Sequence, residues 1–371
     1  MDSATMAVVA GLVGLSVVAA VAVVAIRRGG SLTLRSLVWP AVVLAGLGGV
    51  AVILAAQLAR TSVIFSAAHV AYLVVAIAVP AGALAVVVAA AFRGATWPVW
   101  AVSIVLLIPA PVSWYATHVA PYRLRVERAE VVLPDERGGT DPIRLGVISD
   151  LQTTHITSYE EDAVTRLLAL RPDIILIPGD LFQGSDAEFR RELPAYRELL
   201  ARLQAPGGVY AVRGDTDTGN RLDLLVAGTD IRILDYQVAA TRVGDRVVRI
   251  GGNALLWANA PAVRSRHDLL ASNSRTVRIL LSHRPDVALL LEPDADIDLT
   301  VSGHTHGGQV AAPVLGPVVT FSRVSRTIAR GGLHDVNGNP LFVSTGVGLA
   351  RLDAPQIRLF TRPAIGLVIL R

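Results

Sequence analysis

Apolar residues dominate the first third of the chain in four long runs, at about 6–26, 37–56, 64–91 and 97–115. A bilayer-spanning helix needs roughly 20 such residues, so the pattern predicts a four-helix transmembrane domain over 1–120. A signal peptide would place basic residues before a shorter apolar core. Here Asp2 precedes the first run and Arg27-Arg28 follow it, which favours a true spanning helix. Pro40, Pro80, Pro109 and Pro111 are tolerable inside membrane helices. Trp39, Trp97, Trp100, Trp114 and Tyr115 lie near the run ends, where interfacial aromatics gather. His69, within the third run, is expected to hydrogen-bond a neighbouring helix.

Beyond residue 120 the period changes. Alternation from Arg123 to Leu133 predicts a strand, and Asp135 to Pro142 reads as a charged turn. Residues 121–143 are thus a linker with a first strand. Short apolar runs then alternate with amphipathic stretches. Strands are predicted at 143–148, 173–177, 209–212, 231–234, 247–250, 277–281, 299–301, 341–344, 357–360 and 365–370. Helices are predicted at 160–170, 187–203 and 285–291. Early strand–helix–strand units followed by many strands predict an α/β domain over 144–371, with two sheets between helices.

Charge follows this division. Up to residue 120, Asp2 faces Arg27, Arg28, Arg35, Arg60 and Arg93, which already makes up the whole net charge of +4. The remainder is neutral, so no nucleic-acid partner is indicated. Arg27, Arg28 and Arg35 follow the first run and Arg123, Arg125 and Arg128 the fourth, so the positive-inside count nearly ties; the flanks of the first run, Asp2 before and Arg27-Arg28 after, favour a first loop in the cytoplasm and the C-terminal domain outside. The chain has no cysteine, which excludes disulfides, thiolate metal sites and cysteine nucleophiles.

Polar residues gather where the predicted strands end, the side on which open α/β sheets hold ligands. The sequence there reads Ser149-Asp150-Leu151-Gln152, then Gly179-Asp180, then Arg213-Gly214-Asp215-Thr216-Asp217. His283-Arg284 and Gly303-His304-Thr305-His306-Gly307-Gly308-Gln309 follow. One aspartate after a strand is usually a turn former or helix cap. Five such ends, each carrying Asp or His, point instead to a metal centre. In an extended segment, residues i and i+2 face the same way, so His304 and His306 can aim at one place. Carboxylates and imidazoles without thiolates suit Mn²⁺, Fe or Zn²⁺.

Residues 144–362 resemble the calcineurin-like metallophosphoesterases, in particular their bacterial membrane-linked branch. The blocks that carry the resemblance are Asp150-Leu151-Gln152, Gly179-Asp180, Gly214-Asp215-Thr216-Asp217, His283 and Gly303-His304-Thr305-His306. It implies an α/β/β/α sandwich and two divalent cations. Asp180 would bridge them. Asp150, Gln152 and His306 would hold one, and Asp215, His283 and His304 the other. Asp180, Asp215 and His304 would form the catalytic core of that set, and Arg284 could contact substrate phosphate. Gln152 stands where the family usually has His, Asp215 where it has Asn, and Thr216 where it has a His that serves the leaving group.

Two functions follow as expectations. One is a membrane-anchored phosphoesterase acting on a phosphodiester or an envelope- or lipid-linked phosphate. Its partners would be the bilayer and an amphiphilic phosphate ester. The other is a degenerate relative that keeps the fold for binding or sensing.

Overall fold

The computed structural model describes residues 32, 33, 63–255, 259–351 and 354–371. They fall into two compact units: one up to Val119 that takes in Arg351–Gln356, and one of Ala120–Ala350 with Ile357–Arg371.

In the first unit, α1 (Val63–Leu73) runs through a π-helical turn, Val74–Ala78, into α2 (Val79–Arg93). The turn has a local cause: Pro80 has no N–H to give the carbonyl four residues back, and Val79 N donates to Val74 O instead. Next come α3 (Trp97–Leu107) and α4 (Pro109–His118). The segments Ala68–Arg93 and Trp97–Tyr122, each of 26 residues, are long and apolar enough to cross a membrane. The runs at 6–26 and 37–56 lie outside the described residues, so the structure describes two of the four expected spans. The link between helices comes from Tyr72, whose hydroxyl lies 2.5 Å from Thr117 Oγ1. Among the described residues, His69 Nδ1 finds no hydrogen-bond partner.

The second unit is built from β1 (Arg125–Val131), β2 (Ile143–Val147), β3 (Ile174–Ile177), β4 (Val209–Ala211), β5 (Ile231–Ile233), β6 (Val238–Val243), β7 (Arg246–Asn253), β8 (Val277–Ser282) and β9 (Leu299–Ser302). A small hairpin, β10 (Ala311–Ala312) and β11 (Gly316–Pro317), follows. Then come β12 (Gly332–Val336), β13 (Asn339–Val343) and β14 (Ala364–Leu370). One six-stranded sheet has the order β1-β14-β2-β3-β4-β5, and the other β12-β13-β9-β8-β7-β6. β2 to β5 are parallel, as are β7, β8, β9 and β13. The last strand, β14, lies between β1 and β2, parallel to the former and antiparallel to the latter.

The two sheets share one core. Leu145, Val147, Ile174 and Leu176 of the first sheet pack with Ile250, Ile279, Leu281 and Val301 of the second. The first sheet's other face is covered by α5 (Ser158–Ala169), α6 (Asp186–Ala201) and α7 (Arg221–Val226), through Leu167, Tyr196 and Leu225. On the second sheet, Leu269 of α8 (Ala260–Leu270) packs on Leu280 and Val287. Burial of both faces explains why the parallel strands read as unbroken apolar runs. Thr157 with Glu160, and Ser185 with Glu188, form capping boxes that start α5 and α6.

Three expectations change. The segment 285–291 is a 3₁₀ helix over Pro285–Leu290. The expected strand at 357–360 is irregular, with one bridge from Leu359 to Val310. There Arg358 turns inward and Phe360 takes a φ of 57°, which an extended strand cannot accommodate. β6, β12, α7 and α8 were not foreseen, because their positions mix exposed and buried residues without a clean period.

Candidate metal centre

The C-terminal ends of β2, β3 and β4 turn sharply, and the acids sit on those turns. Asp150, Gln152 and Asp180 have φ values of 50°, 35° and 57°. This left-handed conformation is uncommon for side-chain-bearing residues, though Asp tolerates it better than most. His304 and His306, after β9, share it at 72° and 50°. Clustered backbone outliers of this kind mark functional sites.

Asp150 is fully buried, and both its oxygens accept from His304 N–H, at 3.1 and 3.3 Å. Gly303 makes room for this: a Cβ there would lie 2.5 Å from Asp150 Oδ2. Burial, with Asp180 nearby, pushes Asp150 up to about 6 despite the opposing pull of His283. Asp180 accepts from Thr216 N–H at 2.8 Å and from Gln152 Nε2 at 2.5 Å. Asp215 Oδ2 lies 2.7 Å from His304 Nδ1, and its Oδ1 accepts from Arg284 Nη2 at 2.6 Å. Burial alone would raise Asp215, but hydrogen bonds from His283 and His304 hold it well below the carboxylate range.

The imidazoles arrive from the second sheet. His283, fully buried, has Nδ1 2.8 Å from Pro178 O. A carbonyl only accepts, so Nδ1 carries a proton and Nε2 faces the acids. Nε2 lies 3.4 Å from Asp215 Oδ2 and 3.6 Å from Asp180 Oδ2. Burial would lower His283, yet Asp180, Asp215 and Asp150 raise it to about 10. His306 is lowered well below its usual range by burial and by the charge of Arg358. Its Nε2 is 3.9 Å from Asp150 Oδ1.

Ligand atoms of Asp215, His283 and His304 all lie within 4.8 Å of one another, as do those of Asp150, Asp180 and His283. A crowd of carboxylates beside imidazole nitrogens fits a divalent cation, whose charge would take the place of the proton drawn to His283. The structure thus gathers Asp150, Asp180, Asp215, His283 and His304 into these two clusters, with His306 beside Asp150 but outside both. Gln152 comes with its amide nitrogen toward Asp180, and Arg284 comes paired to Asp215.

Residues 143–308 match the family described as calcineurin-like phosphoesterase. This region is a calcineurin-like phosphoesterase domain. The chain is 28% identical over 272 residues to the Bacillus subtilis metallophosphoesterase YkuE, covering 67% of this chain and 88% of that one. It is 26% identical over 234 residues to the Escherichia coli phosphodiesterase YaeI, covering 60% and 80%. It is 24% identical over 261 residues to the UDP-2,3-diacylglucosamine pyrophosphatase LpxG of Chlamydia trachomatis, covering 57% and 78%.

The phosphoesterase domain also holds supporting residues that sequence reasoning did not single out. Asp217 accepts from the N–H groups of Asp180, Gly214 and Leu181, at 2.8, 2.9 and 3.2 Å. It stitches the loop after β3 to the loop after β4. Burial and the Asp180 charge push it up to about 6. Arg358, fully buried, donates to the carbonyls of His306, Thr345, Gly346 and Gly348. Burial lowers it to about 10. Tyr196 of α6 brings its hydroxyl within 2.8 Å of Thr153 O and Leu181 O. The only signal for Arg358 was a charge inside an apolar run. Asp217 stood in plain view in its motif, but its partners could not be read from spacing. His155, outside the centre, pairs with Glu192 at 2.7 Å.

Proposed function

We propose that the chain is a membrane-anchored, metal-dependent phosphoesterase that uses two divalent cations. The observation that carries this reading is the pair of Asp/His clusters sharing His283. Asp150, Gln152 and His306 would hold one cation and Asp215, His283 and His304 the other, with Asp180 available to both. What divalent cations supply in such a site is polarisation of a phosphoryl oxygen and a nucleophile from water at neutral pH.

The chain's own residues set the limits of the reaction. The extra charge of Asp215 strengthens the hold on its cation, and Arg284 offsets that charge and stands ready to donate to a phosphate oxygen. Thr216 supplies its N–H to Asp180, while its buried Oγ1 finds no hydrogen-bond partner among the described residues. A hydroxyl is no acid at neutral pH, so protonation of the leaving group is not available from this position. The favoured substrates are phosphodiesters or lipid- or envelope-linked phosphates with good leaving groups. The names of YaeI and LpxG fit that class. The two described apolar segments support anchoring. With the runs at 6–26 and 37–56 they make a four-span unit over 1–120, with the phosphoesterase domain, 144–371, outside the cytoplasm of a bacterial inner membrane.

The test is metal content and hydrolysis of an activated phosphodiester with added Mn²⁺ by the full chain, against Asp180→Ala. The wild type should hold two metals, and the variant should lose about two to three orders of magnitude in rate, since metal stabilisation is worth several kcal/mol. Fewer than two metals, with equal rates, would reject hydrolysis in favour of a binding role. That outcome has its own structural motive, in the amide N–H that Gln152 turns toward Asp180.

A further inference from the structure

The segment that follows the His304–His306 loop is unusual for a surface. Between Gln309 and Gly331 there is no acidic residue, and Arg323, Arg326 and Arg330 are all exposed. The β10–β11 hairpin lifts Val314 and Leu315 at its tip to 95% and 70% exposure. Val318, Val319 and Phe321 continue the exposed apolar surface. Val310 at the hairpin base bridges Leu359, which sets exposed Phe360 beside it. Arg326 lies at the hairpin itself, its Cβ 3.9 Å from where a Cβ on Gly316 would stand. The patch begins at the metal centre, because Phe321 O lies 3.2 Å from His304 Nε2.

We propose that residues 310–330 dock on an anionic lipid surface. Val314 and Leu315 enter the acyl boundary and the three arginines meet lipid phosphates, so that the metal centre opens at the headgroup level. Large apolar side chains at a loop tip, rimmed by cations and free of acids, are the pattern of interfacial membrane contact. Anionic headgroups supply the complementary charge. The same chain carries apolar segments long enough to cross a bilayer, so a lipid surface is at hand wherever they are inserted. The inference rests on the anchoring part of the proposed function and is independent of hydrolysis.

The absence of cysteine allows a single label. Full-chain Leu315→Cys, carrying an environment-sensitive nitrobenzoxadiazole, is reconstituted in nanodiscs of phosphatidylcholine with or without phosphatidylglycerol. Val318→Cys is a second reporter, and Ala201→Cys, exposed at the far end of α6, is the control. With doxyl-labelled lipid, positions 315 and 318 should lose about half their fluorescence and position 201 almost none, as expected for burial at the acyl boundary. Phosphatidylglycerol should deepen the quenching, and Arg323→Glu with Arg326→Glu and Arg330→Glu should abolish that gain. Quenching at 315 and 318 no greater than at 201 overturns docking. If the chain stays in the discs, anchoring survives that result; if it is released, anchoring falls as well. A blue-shifted but unquenched label means that a second protein copy covers the hairpin, and also overturns the proposal.

Discussion

The candidate metal centre has two walls of different construction. Asp150, Gln152, Asp180 and Asp215 hang from the ends of β2, β3 and β4 in the first sheet. His283, His304 and His306 hang from β8 and β9 in the second. The acid wall is held by backbone N–H donors, above all those gathered by Asp217. The histidine wall is oriented partly by the acid wall itself, through Pro178 O to His283 and Asp150 to His304 N–H. Dependence therefore runs mainly one way. The two buried imidazoles shift in opposite directions: burial, with Arg358, lowers His306, whereas Asp180, Asp215 and Asp150 overcome burial and raise His283.

Removing the Asp217 hub should have the largest effect. Asp217→Ala leaves three buried N–H groups without an acceptor, at about 1–3 kcal/mol each. The domain should lose several kcal/mol in denaturant titration and release metal from both walls. Asp217→Asn, which keeps one of the two accepting oxygens, should recover part of the stability.

The pH response of metal-stripped protein separates the walls next. His283 is raised from 6.5 to about 10. The stability it contributes is present below pH 6.5 and is lost as pH rises toward 10, a change on the order of a few kcal/mol. Asp150 and Asp217, raised from 3.8 to about 6, act at lower pH: their contribution is present below 3.8 and lost as pH rises through 6. Below pH 6.5 that loss is opposed by His306, whose lowered pKa adds stability as pH rises to 6.5, so thermal melts should show their clear fall between pH 6.5 and 10, and added Mn²⁺ should remove it.

The smallest effect sharpens the weakest point of the acid wall. Gln152→His exchanges an amide for an imidazole ligand. It should tighten metal binding by about 10-fold, the lower end of what changes around a metal ligand produce, as read by competition with a chelator.

The strand ends were legible because a buried run stops and a motif begins at the same residue, as at Val147 to Asp150 and Val301 to His304. The seven expected ligand positions came from that coincidence and from the resemblance it exposed. Other features were not legible, because they depend on partners far away in the chain. Asp217 serves N–H groups of Leu181 and Asp180, more than thirty positions earlier. Arg358 fell inside an expected strand with nothing to mark its role, whereas its guanidinium satisfies four carbonyls of two loops. The β10–β11 hairpin, too short for any period, left no trace in the pattern.

The position of β14 has a consequence for how the molecule is made. Because Ala364–Leu370 lie between β1 and β2, the first sheet cannot close until that segment has emerged from the ribosome. Until then β2 presents an open edge, and the strand leading to Asp150 lacks one neighbour. Contacts this distant in sequence make for slow folding, and exposed edges invite wrong pairing meanwhile. The nascent chain therefore passes through a vulnerable interval in which most of the ligands have been synthesised but the sheet that aligns the acids is still unfinished.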